Sequence, residues 1–412
     1  MKPKPRNAAF GWPGIEPRWT HGDKDGVGTA YSASSRIWFT LWNGIITEVY
    51  YPTVDHPQIR DLQYLVTDGK TFFHEEKRHL KSKCERLSDH ALGSRITNVD
   101  PGGRYTIIKT VITDPHLGCV LQRTQLTGDE SFISKLRLYT LCAPHLQVGG
   151  SSNNGYVIEV AGRKILMAQK KDIWLALGGT VDFSGTSCGY VGRSDGWTDL
   201  ADNFQMDWEF DYAPDGNIAL TGELGVDVHR EFTMGLAFGN TQHRAITTLF
   251  QALGVPFKEH HKRFAEQWER ASARALPLEK VSTDRGNYIT AALACFALTK
   301  TSPIRAHLSH HCRSPGEKQR VTRTTAGTTW SGRAIWSTAL PPCSLRAIRL
   351  RLCGRSFTWQ SRNWRTGAFP RTFGLMGGPT GRESNSTKSH FQFFSPGRSS
   401  GRTLSRILTL TR

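Results

Sequence analysis

The sequence predicts a mainly β protein of two large sheets, followed by amphipathic helices and then by a last quarter without any regular pattern. Three observations carry this reading. Residues 28 to 235 hold many short β-type runs separated by Gly, Pro, Asn and Asp, the spacing of an all-β sandwich. One stretch, Ser35 to Pro52, has the pattern of a hairpin covered on both sides. After residue 240 the apolar period changes from two to three-to-four, and near residue 302 both patterns stop.

The hairpin sets the frame. Ile37, Phe39 and Leu41 alternate with Trp38, Thr40 and Trp42, and Asn43-Gly44 supplies the pair that most readily takes positive φ in a type I′ turn. Pairing across that turn predicts Trp42 opposite Ile45, Thr40 opposite Thr47 and Trp38 opposite Val49. The other face then carries Ile37, Phe39 and Leu41 with Ile46, Glu48 and Tyr50. Both faces are mostly apolar, so the hairpin belongs inside a layered structure.

The flanking residues bring a family into view. Trp19-Thr20, Lys24-Asp25-Gly26-Val27-Gly28-Thr29-Ala30, Glu48-Val49-Tyr50-Tyr51-Pro52 and Asp61-Leu62-Gln63-Tyr64-Leu65-Val66-Thr67-Asp68-Gly69 follow in order. This string resembles the N-terminal domain of prokaryotic glucoamylases and glucodextranases, which are inverting glycoside hydrolases, and the resemblance runs from roughly Phe10 to Lys300. It implies an N-terminal β supersandwich over 1–240, linker helices over 241–282 and, over 283–301, the first helix of an (α/α)6 catalytic barrel that is incomplete here.

The remaining elements follow in chain order. Tyr105 to Thr113 follows Pro101-Gly102-Gly103, and Val120 to Leu126 follows Asp114-Pro115. Phe132 to Leu141, Tyr156 to Val160, Ile165 to Ala168 and Ile173 to Leu177 continue the strand pattern. Asp207 to Tyr212, Ile218 to Thr221 and Val226 to Phe238 read as closing strands. Ile246, Leu249, Phe250 and Leu253 then share one helical face, as do Phe264, Trp268 and Ala271. A further apolar helix begins around Tyr288, Ala291, Ala292, Ala294, Cys295, Ala297 and Leu298.

Charge separates the last quarter from the rest. The net charge is +18, yet Thr301 to Arg412 holds 19 Lys plus Arg against only Glu317 and Glu383, which leaves 34 basic and 33 acidic residues in the first 300. No Asp follows Asp284 and no Tyr follows Tyr288. A nucleic-acid-binding reading therefore rests on the tail alone. The plain reading of 302–412 is a disordered basic tail.

The genetic code offers a sharper one. Read two bases later, with synonymous positions free, the codons from Ala326 through Trp336 permit Gly-Tyr-His-Leu-Val-Trp-Thr-Arg-Asp-Met, with the Val forced by Trp330 followed by a TCN codon for Ser331. Shifted the same way, Asn363 to Gly374 permits Leu-Glu-Asp-Gly-Ser-Phe-Pro-Gln-Asn-Phe-Trp, and Glu383 to Gln392 permits Ile-Gln-Leu-Asp-Glu-Val-Ala-Phe-Pro. All three resemble barrel segments of the same family, in order. A single frameshift near residue 301 accounts for them together.

Few residues suggest chemistry. An inverting glycosidase needs a protonated acid and a carboxylate base about 6.5–9.5 Å apart. In the resembling family both are glutamates on barrel loops without counterpart here, and Ser331, Gly332, Arg333 and Ala334 stand where the Trp-Thr-Arg-Asp motif belongs. No catalytic, cofactor-binding or metal-binding residue is assigned, and no cofactor is expected. Asp207 with Glu209 reads as a solvated sheet face, and Glu75-Glu76 before Lys77-Arg78 as a charged loop. His307, His310, His311 and Cys312 mimic a metal cluster within the irregular segment. Gly26 and Gly28 lack the third glycine of a nucleotide loop. Trp19, Trp38, Trp42 and Tyr50 suit sugar stacking in type, but the alternation places most of them inside.

The partner implied by the resemblance is an α-glucan or maltooligosaccharide acted on by the intact parent, with no specific nucleic acid and no membrane. A non-catalytic carbohydrate-binding or scaffold module is the competing function. Eight scattered cysteines without a CxxC pair give no disulfide framework or zinc site. With no apolar leader visible, they imply a cytoplasmic protein, secretion requiring a signal segment lost upstream.

Overall fold

The computed structural model describes residues 7–225 and 230–274, together with six short strands between 328 and 411. The chain divides into two compact units, Met1–Ser309 and His310–Arg412.

In the first unit an alternating sequence becomes two antiparallel sheets. One is built from β1 (Gly26–Gly28), β2 (Trp38–Trp42), β3 (Ile45–Tyr50), β4 (Ile59–Thr67) and β5 (Phe73–Glu75), with β10 (Arg137–Pro144), β14 (Phe183–Tyr190) and β16 (Ile218–Leu224). Its order is β1-β2-β3-β4-β10-β16-β14, with β5 also paired to β4. The second sheet takes β6 (Lys81–Arg86), β7 (Ser94–Val99), β8 (Tyr105–Thr113), β9 (Cys119–Gly128), β11 (Asn153–Val160), β12 (Arg163–Lys170), β13 (Ile173–Gly179), β15 (Tyr212–Gly216) and β17 (Glu231–Gly239). Its order is β15-β11-β12-β13-β17-β9-β8-β7-β6. The inward residues of both, among them Phe39, Leu62, Tyr64, Val111, Leu138, Leu177 and Phe238, form one continuous apolar core.

The hairpin forms as expected but with an altered register. Asn43 and Gly44 both take positive φ, 45° and 80°, and Trp42 pairs with Ile45. Further along, Phe39 pairs with Val49 and Trp38 with Tyr50, because a bulge intervenes between Phe39 and Leu41. The extra residue corrects the expected faces. Val49 turns into the core, while Glu48 moves to the outer face beside Thr40, whose hydroxyl donates to Glu48 Oε2 at 2.6 Å. A strictly alternating hairpin would have sent that carboxylate between the sheets.

Four other expectations change. Phe132 and Ile133, expected to open a strand running to Leu141, lie in the short helix Glu130–Ile133 capped by Asp129, and the strand begins only at Arg137. Glu75-Glu76 is no loop: Glu75 closes β5, and Glu76 opens the single-turn helix α1 (Glu76–His79). Asp207 to Asp211 is irregular, and pairing begins only at Tyr212. The helix over 242–253, which is α4 counted after α2 (Glu130–Ile133) and α3 (Gly196–Asn203), buries Ala245, Leu249 and Ala252. That stripe is rotated from the larger residues expected. The cause lies in its seat on β13 and β17, where Leu249 approaches Gly178 and Gly235 and a Cβ at Gly235 would lie 2.8 Å from a Leu249 methyl. Small residues on both elements let the helix come close. The next helix, α5 (Phe257–Ser272), buries Phe264 and Trp268 as expected, together with His260 and Gln267.

In the second unit Thr328–Trp330 pairs with Phe373–Leu375, and Ile348–Leu352, Arg355–Trp359, Ile407–Thr411 and His390–Gln392 form a four-stranded sheet in that order. The expected barrel helix over 283–301 lies outside the described residues, as does the expected disordered tail over 302–412 apart from these strands.

Candidate functional site

The chemistry-bearing side chains of the first unit collect around the β2–β3 hairpin. Its turn is buried and anchored from several sides. Asn43 N donates to Asp25 Oδ2 at 2.6 Å, and Asn43 Nδ2 donates to the Lys77 carbonyl at 2.5 Å. The Gly44 carbonyl accepts from Lys109 Nζ at 2.6 Å and from Asn98 Nδ2 at 2.9 Å. Lys109 and Glu76 are both fully buried, and their side chains meet at 2.7 Å. Glu76 Oε1 also accepts from Asn98 Nδ2 and Glu76 Oε2 from Tyr64 N, each at 2.7 Å. Burial lowers the pKa of Lys109 and the Glu76 charge opposes that shift. Each polar atom of this ion pair has a partner that fixes the turn between the sheets, which identifies a structural lock.

Two further clusters lie on the outer face of the first sheet. Glu48 holds Lys24 at 2.6 Å and accepts from the Thr20 hydroxyl at 3.0 Å. Asp61 binds Lys77 Nζ at 2.8 Å and Arg60 Nε at 3.2 Å. Burial would raise the Asp61 carboxyl, but the two cations outweigh it and hold the group well below the usual carboxylate range. Glu75 accepts from Gln63 Nε2 at 2.8 Å and from the Trp197 indole at 3.2 Å. The buried Asp195 and Asp199 instead accept backbone N–H groups, Thr198 N at 3.0 Å and Trp208 N at 2.8 Å, and burial raises both.

Glu48, Asp61, Glu75 and Glu76 are each ion-paired, so none stands free to face a leaving oxygen. Among the described residues no group of His, Cys, Asp and Glu has the arrangement of a metal site. Cys84, Cys119, Cys142 and Cys188 are free thiols, and burial pushes Cys84 up to about 11.

The structure separates the sequence-flagged residues. Trp38 and Tyr50 are buried, and Trp19 packs edge-on against buried His145 with ring centroids 4.7 Å apart. Trp42 lies against His21. All four pack within the domain. Gly26 and Gly28 form β1, and a Cβ on Gly28 would fall 2.0 Å from the Phe39 ring, so the glycine makes room for an aromatic. Asp207 and Glu209 are exposed, but on irregular chain before β15 and not on the expected sheet face. Glu75 and Glu76, read as a charged loop, are instead buried at the locks described above. The His307, His310, His311 and Cys312 cluster lies outside the described residues.

Sequence reasoning passed over two features. Lys109 shares the inward phase of Tyr105, Ile107 and Val111, and a charge in phase with core residues signals a buried partner. Phe10 and Trp12 precede the strand pattern, so periodicity says nothing of them, yet they are 52% and 64% exposed.

With this geometry in hand, likeness to known proteins can be weighed. The family model described as glucodextranase, domain N, matches residues 9–272. The chain belongs to that family. Domain N here is 35% identical over 263 residues to a glucoamylase of Clostridium sp. (strain G0005), covering 64% of this chain and 37% of that protein. It also superposes on the crystal structure of a bacterial glucoamylase complexed with acarbose, with a TM-score of 0.69 and 32% identity, covering 72% of this chain and 44% of that one. The chain thus spans about two fifths of the length of these relatives. Among the described residues of domain N and its flanks, no helix is long and apolar enough to cross a membrane.

Proposed function

We propose that this chain is the N-terminal portion of a glucoamylase-like hydrolase, and that the polypeptide as it stands releases no glucose. The intact parent would hydrolyse α-glucosidic bonds of maltooligosaccharides with inversion. In this reading 1–240 is the supersandwich, 241–282 the linker, 283–301 the opening helix of an incomplete barrel and 302–412 an out-of-frame segment. The chain acts inside the cell unless a leader lies upstream.

The observation that carries it is a change of character along the chain. Acidic residues nearly vanish after Asp284. The codons beyond that point permit three strings resembling barrel segments in one shifted frame. Hydrolysis needs two carboxyl groups in different protonation states across a cleft, and the buried Glu48, Asp61, Glu75 and Glu76 are committed to ion pairs. A barrel reduced to its first helix cannot bury its own apolar faces.

The test compares this chain with a version from which two bases are deleted near codon 301. Release of glucose from maltotetraose by the frame-shifted version alone is expected. Turnover by the original chain, or by neither, would overturn the proposal.

A further inference from the structure

Large apolar side chains are seldom left in solvent without a use when they cluster. Among the described residues five large hydrophobics are exposed, and three of them, Phe10, Trp12 and Ile15, sit on one short strap of the N-terminal chain. The strap is held firmly. Ala9 N donates to the Tyr212 carbonyl at 2.8 Å, Ile15 N to the Val191 carbonyl at 3.0 Å, and Ser194 Oγ to the Phe10 carbonyl at 2.6 Å. The Trp12 indole N–H donates to the Asp215 carbonyl at 2.9 Å, which fixes the ring while leaving it in solvent. Gly11, at φ +86°, lets the chain lie against the Arg193 side chain, since a Cβ there would stand 2.5 Å from Arg193 Cβ.

Further rings extend the patch. Phe10 meets Trp208 and Phe210 edge-on, with centroids 5.2 and 5.7 Å apart. Trp208 and Phe210 are half-buried and alternate with exposed Asp207 and Glu209, while Asp215 and Arg193 are exposed nearby. Among the described residues Asp207, Glu209 and Asp215 hold no ion pair. Asp207 Oδ2 accepts from Asn203 Nδ2 at 2.5 Å, and a pinned aromatic platform edged by the Glu209 and Asp215 carboxylates suits a neutral polyhydroxylated ligand. The pyranose ring stacks its C–H face on the indole and its hydroxyls donate to the carboxylates. The same acids repel nucleic acid and anionic lipid.

We infer that the Phe10–Trp12 strap, with Trp208 and Phe210, is a surface binding site for an α-glucan chain, separate from any catalytic cleft. The choice of α-glucan among neutral polysaccharides rests on the reading under Proposed function. The site holds substrate polymer against the protein and involves no bond-breaking.

Affinity electrophoresis of the full chain through gels containing amylose, with dextran gels in parallel to separate 1,4- from 1,6-linked glucan, tests it. Retardation by one of the two is expected, with Trp12→Ala about tenfold weaker in binding and Phe10→Ala weakened in the same direction. Trp12→Phe keeps a ring and is expected within about threefold of the parent, which guards against misfolding of the Ala variant. Tyr31→Ala, at an exposed aromatic outside the strap, serves as a control and should bind like the parent. Free passage of the full chain through both gels, or unchanged retardation of Trp12→Ala, would overturn the inference. If the full chain passes freely while the frame-shifted version hydrolyses maltotetraose, the surface site fails and the family reading stands.

Discussion

Replacing Lys109 by Met keeps nearly the same volume but removes the one cation facing Glu76. The carboxylate would retain Asn98 Nδ2 and Tyr64 N, each at 2.7 Å, and lose its counter-charge in a site with no exposure. Breaking a buried ion pair on one side typically costs about 3–5 kcal/mol, since the remaining charge can be neither solvated nor balanced. Glu76 also keeps two good donors, which places the expected loss near the lower end, about 3 kcal/mol. The double variant Lys109→Met with Glu76→Gln removes both charges and leaves an amide whose single oxygen can accept from one of the two donors, Asn98 Nδ2 or Tyr64 N. It should recover part of the loss, the donor left facing the amide nitrogen keeping the rest. Urea unfolding followed by fluorescence reads both, provided the slope with denaturant is unchanged. A loss below about 1 kcal/mol for Lys109→Met would mean that water reaches the pair, and the lock between hairpin and second sheet would be wrong.

Three further outcomes follow from the same packing. Gly28→Ala sets a methyl 2.0 Å from the Phe39 ring, so a cost of about 1–3 kcal/mol is expected, seen as a lower thermal midpoint, and an unchanged midpoint would contradict the packing. His145 is buried and its pKa falls to about 3, mainly through burial with Arg60 adding to it. The unfolded chain therefore binds this proton first as pH drops below the ordinary histidine value, and stability falls from about pH 6.5 toward pH 3 by up to about 1.4 kcal/mol per unit. His145→Phe should flatten that slope in urea melts, and an identical slope would refute the assignment. Asp61, whose folded pKa is depressed, stabilises above the ordinary carboxylate range and loses that contribution only as pH falls below it. Asp61→Asn should cost about 2 kcal/mol at neutral pH in urea melts, because Arg60 then loses its ion-pair partner while Lys77 keeps only Glu75 at 3.1 Å.

Much of the fold was legible because a half-buried strand must alternate. Tyr105 to Thr113 and Ile173 to Leu177 became β8 and β13 for that reason, and Asn43-Gly44 fixed its turn through positive φ. The bulge that moved Glu48 outward left no local mark, since it answers to Thr20 and Lys24, far from the turn in sequence. Glu75 and Glu76 looked solvated for the same reason. Their cations and donors, Lys109 among them, arrive from other strands, and a one-dimensional pattern prices each charge alone. The rotation of α4 toward Ala245 and Ala252 depends on Gly178 and Gly235 across the interface. At the exposed strap, Trp12 could not be told from a core residue by type, and only its fixed, solvent-facing ring sets it apart.

The division between a selected sheet domain and an out-of-frame remainder is tested most directly at the DNA. Nucleotide sequence across codons 295–395, read alongside related genes, should place Val-Trp-Thr-Arg-Asp and both following barrel-like strings in one frame shifted from Ser302 onward. Related genes that encode the Ser302 to Arg412 residues themselves in an intact frame would contradict it.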